Sequence, residues 1–89
     1  MVTVKKIVLD VLKPHQPNAL EFSQAIANVG TGYHVHLTVL EMDKNTETLQ
    51  ITIEGNAIDF EAVQSTISEI GVSLHSIDEL EVLNEVNVN

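Results

Sequence analysis

Between Tyr33 and Glu54 the chain alternates apolar and polar residues on both sides of a short polar turn. Val35, Leu37 and Val39 precede Asp43-Lys44-Asn45-Thr46, and Leu49, Ile51 and Ile53 follow it. A period of two puts every second side chain on one face. The segment therefore reads as a β-hairpin, with strands over Tyr33–Met42 and Thr48–Glu54. A hairpin with one apolar face is not stable alone in water and needs a cover on that face.

The flanking segments have the spacing to supply it. Ala19, Phe22, Ile26 and Val29 recur at helical intervals after Asn18, a capping residue with Glu21 three positions on. Val29-Gly30-Thr31-Gly32 ends that helix. After the hairpin, Asp59 caps a second helix with the stripe Phe60, Val63, Ile67 and Ile70. Ile58 and Val63 are placed as a hydrophobic staple, and Gly71 is the stop. Aliphatic and β-branched runs at Val2–Leu12 and Ser73–Val82 add an outer strand at each end. In the first, Ile7, Leu9 and Val11 face one way, and Lys6, Val8, Asp10 and Leu12 the other. Lys13-Pro14-His15-Gln16-Pro17 breaks that strand with two prolines.

The order βαββαβ predicts an α+β fold, the ferredoxin-like sandwich. It has a four-stranded antiparallel sheet with two helices on one face. With 89 residues, 44% of them hydrophobic, the chain suits one domain over 1–83, with a polar tail over 84–89. The second sheet face is left open. Val8 and Leu12 on it, and the long second strand at an edge, predict a homo-oligomer.

Charge narrows the function. Thirteen acids stand against four lysines, a net charge of −9. This argues against nucleic acid and anionic membranes as partners and favours cations or basic partners. The absence of cysteine excludes disulfides and thiolate chemistry. No stretch is long and apolar enough to span a bilayer, and the N-terminus enters a strand directly, so a soluble cytoplasmic protein is expected. There is no phosphate-cradling glycine loop and no GxSxG elbow.

Three segments resemble a known family. Ile7-Val8-Leu9-Asp10-Val11-Leu12-Lys13-Pro14-His15, then Ile53-Glu54-Gly55, then His75-Ser76-Ile77-Asp78-Glu79 are similar in order and spacing to an archaeal family of uncharacterised proteins, domain of unknown function 211. The resemblance covers nearly the whole chain. It implies a ferredoxin-like fold and a homo-oligomer, with no established activity. Bound divalent cations such as calcium would fit the family's acidic character.

Two constellations point to chemistry. His34 and His36 are two residues apart on a strand, so both imidazoles lie on one face, with Glu54 of the next strand near His34. Two imidazoles and a carboxylate suit copper, zinc or nickel, and a neighbouring subunit could complete the set. The alternative is two histidines hydrogen-bonded on an interface strand. The second constellation is Asp10, His15 and His75, with Asp78. Antiparallel pairing of the first and last strands brings Asp10 and the His15 loop toward His75, for cation binding or proton transfer. Alternatively, His15 fixes the proline loop and His75 bonds across the sheet. The acids Asp78, Glu79, Glu81 and Glu85, with Glu41, Asp43 and Glu47 at the hairpin, could hold calcium irregularly or simply form a solvated surface.

The expected function is an oligomeric metal-binding protein without catalytic activity, serving storage, buffering or sensing. The alternative is a regulatory module that senses a small molecule at subunit interfaces, around Lys13–His15 and His75.

Overall fold

A computed structural model describes residues 1–86. The elements follow the expected order: β1 (Val2–Pro14), α1 (Ala19–Ala27), β2 (His34–Met42), β3 (Thr46–Glu54), α2 (Phe60–Ile70) and β4 (Ser73–Asn84). The strands form one antiparallel sheet in the order β2-β3-β1-β4. This is the ferredoxin-like arrangement, with β2 and β4 at the edges.

The helix termini form as their residues dictate. Asn18 Oδ1 accepts from the Glu21 N–H at 2.8 Å, and Glu21 Oε1 accepts from the Asn18 N–H at 3.3 Å, closing a capping box. Asp59 Oδ1 accepts from the Ala62 N–H at 3.1 Å, and Gly71 ends α2 at φ +91°. Phe22 and Ile26 of α1, with Val63 and Ile67 of α2, press onto Ile7, Leu9, Val11, Leu49, Ile51 and Ile53 of the sheet. This is the core that the two periodicities predict.

Lengths leave part of the sheet bare. The 13 residues of β1 span about 44 Å. Helices of 9 and 11 residues cover only about 14 and 16 Å. Val39, Leu40 and Met42 at one end of the sheet, and Val82 and Leu83 at the other, are accordingly exposed. Val39 keeps the inward face its spacing suggests, opposite Leu49, but stays exposed there, and the extra residue Leu40 shifts the β2–β3 register beside it.

The ends of β1 and β4 also differ from the sequence reading. β1 runs on to Pro14, and its ladder with β3 ends at Pro14 opposite Thr46, two positions beyond the expected stop at Leu12. β4 reaches Asn84, and the Glu85 N–H donates to the Met1 carbonyl at 2.7 Å. Asn84 and Glu85, expected in a loose tail, are thus held against the sheet, and residues 87–89 lie outside the described residues. On the β1–β4 side the register shifts three times. Lys5, His75 and Asp78 are the extra residues there, so the two expected site residues on β4 both stand at irregularities of its ladder.

Candidate metal and ligand sites

The open face of β2 and β3 carries the first expected constellation. Cross-strand register sets His34 opposite Glu54 and His36 opposite Thr52, as the hairpin pattern predicts. All of these side chains lie on the face away from the helices, while Val35 and Leu37 turn toward the core. The start of β2 is fixed by Tyr33. Its hydroxyl accepts from the Asp59 N–H at 2.7 Å, and its ring fills the space that a Cβ on Gly30 would need. His34 therefore begins from an anchored residue. Lys6, the β1 partner of Glu54, reaches instead to Glu79 at 2.8 Å. The hydrogen bond to that carboxylate, then its charge, holds the Lys6 ammonium above its ordinary pKa. Among the described residues, no three histidine or acidic side chains lie close enough to hold a metal ion. One chain therefore offers only part of a coordination shell on this face.

The second constellation divides. Asp10 and His75 do meet, lining a cavity of about 200 Å³ with Val11, Leu12 and Thr48. His15 is not there. Asp78 also turns elsewhere and accepts a hydrogen bond from Ser76 Oγ at 2.7 Å. The expectation that the His15 loop approaches His75 is therefore corrected: His15 is drawn to the opposite edge of β1, under the β2–β3 turn.

What draws it is Glu47. His15 Nδ1 donates to Glu47 Oε2 at 2.9 Å, and Nε2 donates to the carbonyls of Asp43 and Lys44 at 3.1 and 2.9 Å. Glu47 Oε1 takes the ammonium of Lys13 at 3.1 Å. Lys13 also donates to the carbonyls of Pro14 and Pro17, so each of its three N–H groups has an acceptor. Lys13 has 0% exposed side chain and Glu47 only 9%. A lysine is almost never this buried unless paired. The hydrogen bond to Glu47 holds the His15 imidazolium above its ordinary pKa, and the His15 and Lys13 donors hold Glu47 below its own.

This network was not singled out from the sequence. Glu47 was grouped with the solvated hairpin acids, yet it lies two residues before the inward series Leu49, Ile51, Ile53. Lys13 continues the series Ile7, Leu9, Val11 in the same way. Strand parity carries the signal. Of the other acids, Glu79 and Glu85 pair with Lys6 and Lys5, each at 2.8 Å, while Glu41, Asp43 and Glu81 are exposed. No described helix is long and apolar enough to cross a membrane.

Comparison with known proteins agrees with the family resemblance. Residues 5–87 match the DUF211 family, described as uncharacterized ArCR. Over 77 residues the chain is 42% identical to an uncharacterized protein of Methanocaldococcus jannaschii, covering 86% of this chain and 79% of that relative.

Proposed function

The chain belongs to the DUF211 family of uncharacterised archaeal proteins; from that premise we propose that it is a non-enzymatic, oligomeric metal-binding protein whose site is completed between copies. The observation that carries the reading is the β2–β3 register, with His34 opposite Glu54 and His36 two residues along the same exposed face. Imidazole nitrogens and a carboxylate oxygen are ligands for zinc or copper. A closed tetrahedral zinc site takes four, and no three histidine or acidic side chains of the described residues come together here, so the remaining ligands come from a second copy. The exposed edge of β2, and apolar residues on an uncovered sheet, support self-association. The role is storage, buffering or sensing of the ion.

The test is calorimetric titration of untagged protein with zinc, copper and calcium, alongside the native mass of the assembly. Stoichiometric zinc or copper binding that disappears in the His34→Ala/His36→Ala double variant, with the fold retained, is the expected result. A double variant that binds as well as the parent removes this site, and binding of calcium alone moves it to the carboxylates. A second reading, a regulatory module sensing a small molecule, draws on a different observation: the cavity at Asp10 and His75.

A further inference from the structure

On the open face, Asp10 Oδ1 is buried without a hydrogen-bond partner. Leaving a buried carboxylate oxygen unsatisfied is costly, so the position calls for a donor that the chain itself does not supply. Asp10 lines the cavity of about 200 Å³ whose other walls are Val11, Leu12, Thr48 and His75. At about 30 Å³ for each water-sized group, that space holds roughly six or seven non-hydrogen atoms. One carboxylate and one imidazole are too few for a closed zinc site. They are well suited to an ammonium, whose three N–H groups need three acceptors. The residues that line the cavity carry that many acceptor groups, the Asp10 carboxylate, the Thr48 hydroxyl and the His75 ring, and Leu12 offers apolar surface to a short alkyl stem. The net charge of −9 favours a cation over an anion at this position.

We propose that the cavity between Asp10, Thr48 and His75 binds a small primary ammonium carried on a short alkyl chain. The site does not depend on His34 or His36. It rests on the second functional reading for its biological role and not for its existence.

The experiment is an amide and imidazole NMR titration of the whole protein with propylammonium chloride, with sodium chloride and uncharged propanol as controls. Saturable shifts are expected at Asp10, Val11, Leu12, Thr48 and His75 with the amine alone. Asp10→Asn weakens binding roughly tenfold or more, the loss of a charge-assisted hydrogen bond. Thr48→Val weakens it less and keeps the test valid should the Asp10 variant unfold. Equal response to propanol or to salt overturns the proposal, as does unchanged amine affinity in Asp10→Asn, or in Thr48→Val where the Asp10 variant is unfolded. Zinc that shifts the same residues where the amine does not also overturns it. Amine binding with no change in native mass or metal affinity leaves the site standing and removes the regulatory reading.

Discussion

His15 and Glu47 are joined by a 2.9 Å hydrogen bond that ties the loop after β1 to the start of β3. The second ring nitrogen of His15 faces two backbone carbonyls, which can only accept, so with Glu47 ionised it is the imidazolium that satisfies all three partners. Glu47 thus lies between two cations, one of them the buried Lys13.

A pH dependence follows from the two shifts. The folded pKa of His15 is raised above 6.5, so its stabilisation is complete below 6.5 and is lost as pH rises through the folded value. Glu47 is lowered from 4.5, so its contribution is complete above 4.5 and is lost as pH falls through its folded value. Both are present together between 4.5 and 6.5. The melting-temperature gap between the parent and His15→Gln is therefore widest in that window and narrows in alkali. A gap that stays constant from mildly acidic to alkaline pH would show that His15 is not held as an imidazolium.

Removing the Glu47 charge strands the Lys13 ammonium, which has no exposed surface. Breaking one partner of a buried pair is far more damaging than trimming an exposed acid. Glu47→Gln should lower the melting temperature clearly, whereas Glu41→Gln and Asp43→Asn, both at exposed positions, should leave it nearly unchanged. Equal effects of the three, read by thermal unfolding, would place Glu47 among ordinary surface acids.

The contrast between Lys13 and Phe22 shows what a sequence makes legible. Phe22 is apolar and in phase with Ile26, so its burial in the core can be read from spacing. Lys13 is in phase with Val11, but its charge outweighs its parity in any reading of composition. Only the meeting of Lys13 with Glu47 and the carbonyls of Pro14 and Pro17 makes its burial tolerable. Those partners are brought together by the β1–β3 register, from positions as far apart as 13 and 47. The His34–Glu54 pairing was legible because a hairpin is local, and its register follows from alternation alone. The place of His15 is not legible, because prolines hide the direction in which a loop leaves its strand. Asp10 and His75 did meet, because antiparallel pairing of β1 with β4 follows from the fold class.

Helix α1 supplies a calibrated pair of expectations. Asn18→Ala removes the cap of a helix with only 9 residues and should cost about 1 kcal/mol. Phe22→Ala empties a fully buried position and should cost about 3–5 kcal/mol. Urea unfolding should rank the two in that order with similar m-values. A Phe22 variant no weaker than the Asn18 variant would mean that the core closes over the lost ring.

Tyr33 connects fold to site. Its hydroxyl accepts from the backbone at the start of α2, and its ring fills the space beside Gly30 and Gly55. Tyr33→Phe loses one hydrogen bond, about 1 kcal/mol, and keeps the ring in place. Circular dichroism melts should show that modest loss with zinc affinity unchanged. A large fall in zinc affinity would mean that the hydroxyl itself sets the position of His34.

Glu54 decides whether the metal face is built or incidental. If its carboxylate binds the ion or orients His34 across the β2–β3 ladder, Glu54→Gln should weaken zinc binding by about 10- to 100-fold, the range found when such partners are removed. The glutamine keeps the size of the side chain and leaves the exposed edge intact, so stability should hardly move. Calorimetry then separates the cases. A drop in affinity with unchanged melting temperature assigns Glu54 to the site. If Glu54→Gln binds as the parent does while His34→Ala does not, the two imidazoles act without it, and the missing ligands come from the second copy.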